Sequence, residues 1–491
     1  MRILLVNPST GYYTRTIFNP LGLVAIGSYL RSIGHEVMLE DRCVHKQNLD
    51  SIIETFKPEM VGVSLMSGRV LKDALKVSKI AKKRGLYVSW GGAMASMHPD
   101  LLLTNDCIDS VIFSEGEYTF QELIEALEGK RDISSVKGLS YKDNGKVVHN
   151  AHRPFADLAD FPASDFSLID VEKYMQPYLG SKRMMYVYSS KGCPCHCAFC
   201  PNAFYHQSCH RKRPNEIVLQ DIEYLIQNYG VDGIYFSDEL WVTQKSDMLD
   251  FCRRVKERNL HFYWGIQARI GMFDKEDFDI MYEAGCRWAF FGIESGSKQR
   301  LQKIHKNIDY DKIVPTFRML KQRGITTVAS FIIGFPDETP EELKETCELI
   351  LKVDANLAPV YHFTPLPGTE MYNDLVAAGK YKPIKSMKDL SKKIATESMG
   401  QNLSAISSKE LKVVRNWFIW KGFTRKDSVE SSKNFTFALE TILHGINAIT
   451  QKGILMFFHD GFTALKEFVY IFWYANMHPS VCKKYGLKKH G

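Results

Sequence analysis

The sequence predicts an α/β protein in which a doubly wound, Rossmann-like parallel sheet precedes a partial TIM-like (β/α)6 barrel and a helical C-terminal region. Short apolar runs alternate with helical patterns through residues 1–130, which is typical of a doubly wound sheet. Six further runs recur over residues 181–375, and residues 376–491 show only helical periodicity. Residues 131–180, which include an Asp-, Pro- and Phe-rich stretch, are predicted to be a linker.

Length and composition narrow the class of protein. A chain of 491 residues suits two or three domains. Its 63 basic and 56 acidic residues leave a net charge of +7, a mild excess that slightly favours an anionic partner. No nucleic-acid partner is predicted. The start, MRILLVNPST, lacks the features of a signal peptide, and the most apolar long stretch, 453–475, carries charges. The sequence therefore predicts a cytoplasmic protein with no transmembrane span.

The first part is predicted to begin with a core strand at residues 3–6, followed by a helix that includes Tyr29 and Arg31. Further strands are predicted at residues 37–39, 61–65, 88–90 and 111–113. Such sheets bind ligands beyond the carboxyl ends of their strands. Small or polar candidate cofactor-binding residues occupy those ends: Asn7, Ser64, Ser67, Gly91, Gly92, Glu115, Gly116 and Glu117. The glycine pair allows close approach of a cofactor, although glycines after strands are commoner as plain turns.

Two stretches of this part, SWGGAMASMHPD and VIFSEGEYTFQELI, resemble the cobalamin-binding domain of one subclass of radical S-adenosylmethionine (SAM) enzymes. The resemblance implies that the residues at the strand ends bind cobalamin. No Asp-x-His-x-x-Gly stretch is present, so a base-off corrinoid without a protein histidine on cobalt is implied. Related enzymes keep this domain shape without a demonstrated need for the corrinoid, which leaves that alternative open.

A cysteine loop, KGCPCHCAFCP, follows a strand predicted at residues 184–189. Its spacing, CxxxCxxC, places Cys193, Cys197 and Cys200 as three thiolates for a 4Fe-4S cluster with one open iron. Cys195 adds a fourth thiol, so a zinc site or a closed cluster is the alternative. With Phe199 before the third cysteine, the loop resembles the radical SAM motif, in which this aromatic residue packs beside the nucleoside.

The barrel is predicted from the first strand and five more at residues 234–236, 262–266, 288–293, 327–333 and 360–364. Barrels carry their chemistry at the carboxyl ends of strands. Asp238 and Glu239 lie at one such end, where the resemblance implies a contact with the methionine amine; capping is the alternative. Arg269 at another end would pair with a carboxylate of SAM or substrate, or form a structural salt bridge.

Two further motifs resemble those of radical SAM enzymes. In GIESG, Glu294 would accept hydrogen bonds from the ribose hydroxyls, and Ser295 is a neighbouring candidate for cofactor binding. In SFIIGFPDET, Ile333 and Gly334 would lie near the adenine, although this motif also suits a turn and a helix cap. No role is assigned to the histidines near the cysteine loop, His196, His206 and His210.

The C-terminal region is predicted to be helical from LKVVRNWFIWKGF and MFFHDGFTALKEFVYIFWYA. Its aromatic residues suit either a buried helical core or a peripheral membrane contact. These aromatic residues are Trp417, Trp420, Phe457, Phe458, Tyr470, Phe472, Trp473 and Tyr474.

The combined resemblance implies a cobalamin-dependent radical SAM methyltransferase that methylates an unactivated carbon through a 5′-deoxyadenosyl radical and methylcobalamin. It implies a small-molecule, lipid or peptide substrate and an electron donor such as flavodoxin or ferredoxin. One alternative is a cyclase or rearrangement enzyme with the same domains and no methyl transfer. The other is a nonenzymatic iron-sulfur or cobalamin-binding protein. A transfer-RNA methylthiolation enzyme is disfavoured, because its additional cysteine set and RNA-binding barrel are not visible.

Overall fold

A computed structural model of the protein describes residues 1–10, 18–45, 47–178, 180–393, 400–424 and 469–487. The chain forms two compact units. One contains Met1–Phe262 and Pro365–Ala395, and the other contains Tyr263–Thr364 and Thr396–Gly491. The domain boundaries predicted after residues 130, 180 and 375 remain predictions.

The N-terminal half of the first unit is an α/β sheet. Its elements are β1 (Arg2–Asn7), α1 (Leu21–Ser32), β2 (Glu36–Asp41), α2 (Leu49–Phe56), β3 (Met60–Ser64), α3 (Leu71–Lys83), β4 (Tyr87–Gly91), α4 (Ala93–Met97), α5 (Pro99–Leu103), β5 (Ser110–Ile112), α6 (Glu117–Leu127), β6 (Leu139–Asp143) and β7 (Lys146–His149). The strand order is β2-β1-β3-β4-β5-β6-β7. Strands β1 to β5 pair in parallel, which confirms the predicted parallel sheet.

Both faces of this sheet are buried. Along β1, Leu4 and Val6 belong to one hydrophobic core, and Ile3 and Leu5 belong to a second. Successive side chains of a strand point to opposite faces, so the two cores lie on the two sides of the sheet. This arrangement defines a doubly wound sheet.

The segment predicted as a linker contributes to the sheet. Strand β6 pairs antiparallel with β5, and β7 pairs antiparallel with β6. Leu139 and Tyr141 on β6 are buried, so this hairpin completes the core at the sheet edge. Its apolar runs are short, and the turn at Asn144 and Gly145, both with positive φ, joins two strands of four or five residues.

The first unit continues through β8 (Gln176–Tyr178), β9 (Ser181–Val187), β10 (Ser190–Lys191), α7 (Asn202–Tyr205), β11 (Arg211–Lys212), α8 (Asn215–Tyr229), β12 (Gly233–Phe236) and α9 (Lys245–Glu257). Strands β9 and β12 pair in parallel. They are the first two strands predicted for the barrel. The β8 strand adds an antiparallel pair to β9, which the sequence did not predict.

The second unit contains β13 (Tyr263–Ala268), α10 (Lys275–Glu283), β14 (Cys286–Glu294), α11 (Lys298–Lys303), α12 (Ile313–Arg323), β15 (Thr326–Ile333), α13 (Pro340–Val353) and β16 (Val360–His362). The four strands pair in parallel in chain order. All six strands predicted for the barrel are therefore present. Helix α13 begins at a capping box, in which the Thr339 side chain and the Glu342 side chain satisfy each other's backbone N–H groups.

After β16 the chain returns to the first unit as α14 (Glu370–Ala377) and α15 (Met387–Lys393). Leu390 of α15 is fully buried in the core that contains Leu4 and Trp90. The carbonyl oxygen of Leu390 lies 2.1 Å from the position that a Cβ on Gly68 would take. The chain after residue 375 is therefore divided between the two units, because α15 finds its apolar partner on the N-terminal sheet.

The second unit also contains α16 (Ser408–Thr424) and α17 (Pro479–Lys484). Helix α16 confirms the helix predicted from LKVVRNWFIWKGF, and Trp417 on it is buried. Phe457 and Phe458 lie outside the described residues, as does most of the second predicted helix. Tyr470, Phe472 and Trp473 are exposed, so the membrane-contact hypothesis stays a prediction. Among the described helices, none has the length and apolar character needed to cross a bilayer.

Candidate functional site

The cysteine loop begins and ends on a two-stranded ribbon. Strands β10 and β11 pair antiparallel, with Ser190 opposite Lys212 and Lys191 opposite Arg211. Gly192 follows β10 with φ of 84°, and a Cβ at this position would lie 2.0 Å from the carbonyl oxygen of Cys209. Only glycine suits both the left-handed backbone and this close approach.

Backbone contacts fold the loop inside this ribbon. The Cys200 N–H donates to the Cys197 carbonyl at 3.0 Å. The Asn202 side-chain amide donates to the Cys193 carbonyl at 2.6 Å. Cys197 is buried, whereas Cys193 and Cys200 are half-buried. Phe199 between them is half-buried too.

Three thiols on one pinned loop fit a cubane cluster. Thiolates are the ligands that iron-sulfur clusters prefer, and each thiolate binds a different iron atom. Within the described ranges, no three His, Cys, Asp or Glu side chains converge on the position of a single metal ion. Cubane ligation does not require such convergence. Cys195 is half-buried on the same loop, and a ligand set of Cys193, Cys197 and Cys200 without it stays a prediction.

Asp238 and Glu239 lie just beyond β12, where the sequence predicted them. Asp238 is buried and accepts hydrogen bonds from the backbone N–H groups of Ser189 at 2.8 Å and Ser190 at 3.1 Å. Burial raises its pKa to about 6, against the lowering effect of these hydrogen bonds. Glu239 accepts from the Gly192 N–H at 3.0 Å. Both carboxylates therefore hold the entry to the cysteine loop.

The histidines near the loop have polar partners. The His206 ring lies 3.6 Å from Glu239, and His210 Nε2 lies 2.9 Å from the Leu240 carbonyl. His196 Nδ1 lies 3.0 Å from the Ser208 hydroxyl. These contacts fold the loop, and no role beyond that is assigned.

The carboxyl ends of β3 and β4 form the predicted corrinoid edge, which contains Ser64, Ser67, Gly91 and Gly92. Both serines are half-buried. Apart from a side-chain atom of Ile112 at 3.9 Å, no described heavy atom lies within 4 Å of the Cβ position at Gly91. Gly92 has φ of 94° and a Cβ position only 3.2 Å from the Leu65 carbonyl, so it also serves a tight turn. The described residues leave space beside Gly91 that suits a flat ligand.

Glu115, Gly116 and Glu117 follow β5, as predicted, but both carboxylates bind protein cations. Lys191 Nζ lies 2.7 Å from Glu117. Arg211 forms a bidentate pair with Glu115. Burial acts to raise the pKa of Glu115, but Lys191 and Arg211 lower it on balance. The Cβ position at Gly116 is 2.7 Å from the Ile26 side chain, so Gly116 packs against α1.

In the second unit, Glu294 ends β14 in a left-handed conformation, with φ of 71°. Lys306 donates to its carboxylate at 2.9 Å, and both side chains are about nine-tenths buried, at 10% exposure each. A Cβ at Gly292 would lie 2.3 Å from Glu294 Oε1, so the carboxylate folds back over this glycine. Sequence reasoning missed Lys306, because no local pattern links it to Glu294.

Ser295, predicted as a cofactor-binding candidate next to Glu294, is fully buried, and its side chain contacts α13. Its hydroxyl lies 3.2 Å from the Thr346 hydroxyl, which also accepts from the Gly296 N–H at 3.0 Å. A Cβ at Gly296 would lie 2.3 Å from the Glu345 carbonyl. Ser295 therefore anchors the GIESG turn to α13.

The GFPDET turn follows β15. Ile333 is fully buried, and Gly334 has φ of 80°. The Gly334 N–H donates to Glu338, whose other carboxylate oxygen is buried with no hydrogen-bond partner among the described residues. Burial raises the pKa of Glu338 to about 7. Sequence reasoning missed Glu338 as a buried acid, because a Glu near a helix start is usually a solvated cap.

Arg269, predicted to pair with a carboxylate, donates instead to two backbone carbonyls. These belong to Lys306 at 3.1 Å and Asn307 at 2.8 Å. Arg269 therefore fixes the segment that carries Lys306, the partner of Glu294. Its predicted contact with SAM or substrate stays a prediction.

A barrel of β/α units whose first strand leads into a CxxxCxxC loop, preceded by a doubly wound sheet, defines a radical SAM enzyme with a corrinoid-type domain. The Radical SAM superfamily matches residues 187–350, and the B12 binding domain matches residues 13–124. An uncharacterized methyltransferase of Pyrococcus horikoshii is 33% identical over 388 residues, 77% of this chain and 83% of the relative. The chain belongs to the radical SAM superfamily, in the group that carries a B12-binding domain.

Two further similarities agree with this assignment. An anaerobic magnesium-protoporphyrin IX monomethyl ester cyclase of Rubrivivax gelatinosus is 26% identical over 76% of this chain and 70% of the relative. The solved structure of the methyltransferase TsrM from Kitasatospora setae, with cobalamin and a 4Fe-4S cluster bound, has 19% identity. It covers 77% of this chain and 75% of that chain with a TM-score of 0.65, which shows the shared fold. A 4Fe-4S cluster, SAM and cobalamin are the cofactors of these domains, and the thiols and the open edge fit them.

Proposed function

We propose that the protein is a cobalamin-dependent radical SAM methyltransferase that methylates an unactivated carbon. The observation that carries this proposal is that the segment just after the last cysteine packs against residues next to the corrinoid edge, within one unit. The Ser114 hydroxyl, after β5, donates to the Tyr205 carbonyl at 3.0 Å, five residues beyond Cys200. The tyrosine hydroxyl donates to the carbonyl of Ala93, which follows Gly92. The similarity to a methyltransferase-named relative supports the same function.

The cofactors, when bound, would supply reductive cleavage of SAM to a 5′-deoxyadenosyl radical and methyl transfer from methylcobalamin. In this proposal Cys193, Cys197 and Cys200 bind the cluster, and Phe199 packs beside the nucleoside. Glu294, held by its lysine partner, accepts hydrogen bonds from the ribose.

The remaining residues line or support these sites. Ile333 and Gly334 lie beside the adenine, and Ser64, Ser67, Gly91 and Gly92 contact the corrinoid in this proposal. Asp238, Glu239 and Ser295 act through the loops that they hold, because their hydrogen bonds go to the protein.

Anaerobic reconstitution with iron, sulfide and hydroxocobalamin tests the function. With SAM and dithionite, the protein should release 5′-deoxyadenosine and S-adenosylhomocysteine, both measured by mass spectrometry. Replacing Cys193, Cys197 and Cys200 together by Ala should abolish deoxyadenosine. The matched control, Cys195→Ala in the same loop, should retain it. Loss of deoxyadenosine in that control would make Cys195 a cluster ligand, whereas a closed four-cysteine site would leave even the wild-type protein without deoxyadenosine.

A cyclase or rearrangement enzyme is the second candidate, because one relative is named as a cyclase. Deoxyadenosine without S-adenosylhomocysteine in the reconstituted protein would favour it over the methyltransferase. The two candidates share the cysteine loop and differ only in the use of the corrinoid.

We also propose a flavodoxin or ferredoxin as the electron donor and a cytoplasmic location. Eleven cysteines and an oxygen-sensitive cluster suit a reducing compartment. Replacing dithionite by a reduced flavodoxin should sustain deoxyadenosine formation. The substrate is proposed as a small molecule, lipid or peptide.

A further inference from the structure

Four charged side chains meet between the base of the cysteine loop and the turn after β5. They are Glu115, Glu117, Lys191 and Arg211, called here the ion-pair box. Lys191 Nζ lies 2.7 Å from Glu117 and 3.8 Å from Glu115. Arg211 contacts both carboxylate oxygens of Glu115, one of them at 2.9 Å. The two positive charges and two negative charges balance.

The box joins two parts of the chain that carry different cofactors. Lys191 and Arg211 face each other across the β10–β11 ribbon, from which the cysteine loop starts and to which it returns. Glu115 lies in the turn between β5 and α6, and Glu117 is the first residue of α6, both inside the B12-binding match. The ribbon falls inside the radical SAM match.

The box is withdrawn from solvent. Side-chain exposure is 19% for Lys191, 4% for Glu117, and 13% for both Arg211 and Glu115. The Arg211 guanidinium also lies 4.4 Å from the Phe155 ring centre and donates to the Ala156 carbonyl at 2.9 Å. Bidentate charged hydrogen bonds of this kind fix orientation as well as distance. Removing one member leaves its partner charged and buried, which is costly.

Uncharged contacts nearby also connect the end of β5 to the segment after the cysteine loop. The Phe113 ring packs edge-on against Phe204 of α7 at 5.5 Å, and Ser114 donates to Tyr205. The ribbon and the helix after Cys200 thus both rest on the end of β5. The loop is fixed relative to this edge at its base and beyond its last cysteine.

We infer that the ion-pair box sets the position of the cysteine loop relative to the corrinoid edge, and that Glu115 and Glu117 are positioning residues for methyl transfer. This inference rests on the proposed function. The carboxylates are committed to Lys191 and Arg211, so their effect on the reaction passes through the ribbon. A group transfer between two bound cofactors depends steeply on their separation, and a shift of about 1 Å can cost about 100-fold in rate.

The test compares Glu117→Gln and Glu115→Gln with wild type, all reconstituted with iron, sulfide and hydroxocobalamin. A matched control is Glu122→Gln on helix α6, since Glu122 pairs with Arg131 and Arg153 and its exposure, 18%, is close to the 13% of Glu115. With SAM and dithionite, S-adenosylhomocysteine reports methyl loss to the reduced corrinoid, and deoxyadenosine reports reductive cleavage at the cluster. Bound corrinoid is measured from the absorption spectrum.

We expect the ratio of S-adenosylhomocysteine to deoxyadenosine to fall about 10-fold to 100-fold in the box variants, the range set by a small displacement. The ratio should hold in Glu122→Gln, and bound corrinoid should be equal in all proteins. Lys191→Met should reproduce the fall, and Lys191→Arg should restore part of the ratio. Loss of bound corrinoid with an unchanged ratio would overturn the inference, and would indicate that Glu115 and Glu117 contact the corrinoid directly.

Amide hydrogen exchange of residues 192–210 in the same proteins gives a second measurement. Exchange should be faster in the box variants than in wild type and Glu122→Gln. Unchanged exchange would show that the ion-pair box does not hold the cysteine loop. Faster exchange with an unchanged ratio of S-adenosylhomocysteine to deoxyadenosine would overturn its positioning role. A wild-type protein that makes deoxyadenosine but no S-adenosylhomocysteine would instead overturn the proposed function, while exchange still decides whether the box holds the loop.

Discussion

Glu294 is held in one position by its backbone, a glycine and a cation. Its φ of 71° lies in the left-handed region, which costs a non-glycine residue of order 1–3 kcal/mol and persists where surrounding contacts impose it. The pairing of β14 with β15 shifts register between Gly292 and Glu294, so the carboxylate leaves the regular strand. Lys306 supplies the compensating charge at 2.9 Å. This geometry presents a fixed, ionic acceptor at the end of a strand.

Lys306→Met should weaken SAM binding. Without the ammonium group, the carboxylate of Glu294 loses its partner in a site of 10% exposure, a change that typically costs about 3–5 kcal/mol. The KM for SAM in deoxyadenosine formation should therefore rise at least about 10-fold, equivalent to about 1.4 kcal/mol. The control Lys298→Met removes an exposed pair with Asp311 and should leave KM within about twofold. Equal KM values in the two variants would refute the role given to Lys306.

Glu338 makes stability depend on pH. Its pKa is raised by burial from 4.5 to about 7, so the folded protein keeps a proton that the unfolded chain releases over that interval. The stability contributed by the protonated acid is full below about pH 4.5 and is lost as pH rises through about 7. Each pKa unit corresponds to about 1.4 kcal/mol.

Glu338→Gln keeps an acceptor for the Gly334 N–H and removes the titration. The melting temperature of the variant relative to wild-type holoenzyme should therefore rise between about pH 5 and about pH 8. Glu341→Gln, at an exposed position in the first turn of α13, is the control. A difference between Glu338→Gln and wild type that stays constant with pH would contradict the assignment.

At the scale of elements, the β10–β11 ribbon sets the shape of the cysteine loop. Gly192→Ala should prevent normal cluster binding, since its Cβ would lie 2.0 Å from the Cys209 carbonyl. Gly85→Ala shares a positive φ, 74°, but has no described heavy atom within 4 Å of its Cβ position. Both variants bear backbone strain of about 1–2 kcal/mol, and only Gly192→Ala adds overpacking of about 1–3 kcal/mol.

Iron and sulfide content after reconstitution provides the measurement for this pair. We expect a clear fall for Gly192→Ala and a content near wild type for Gly85→Ala. Equal losses of iron and sulfide in the two variants would mean that the close contact with the Cys209 carbonyl has no role in cluster binding.

Elements with strong local patterns were predictable. Strands such as β3 and β15 are rich in apolar and β-branched residues, and the sequence placed each near its observed position. The ribbon strands β10 and β11 have two residues each and carry charges, so no hydrophobic period marks them. Motifs likewise located the thiols, whereas the box depends on residues about 75 to 95 positions apart in sequence. Pairings at such distances leave no local signal.

At the scale of the whole molecule, chain order and spatial order differ after the last barrel strand. The sequence placed residues 376–491 in one helical region, but α15 belongs to the first unit. Its fully buried Leu390 joins the core beneath the N-terminal sheet, and the chain contacts the turn at Gly68, next to Ser67 of the corrinoid edge. A late segment of the chain therefore helps to shape an early site.

Leu390→Ala should destabilise the first unit and weaken corrinoid binding. Removing a fully buried leucine costs about 2–5 kcal/mol through lost transfer energy and the cavity left behind. The turn at Gly68 loses the packing of α15, so bound hydroxocobalamin should fall as the melting temperature falls. The control Leu249→Ala, whose side chain is 43% exposed on α9, should change stability by less than about 0.5 kcal/mol. Normal corrinoid retention in a destabilised Leu390→Ala protein would confine α15 to a structural role and separate it from the site.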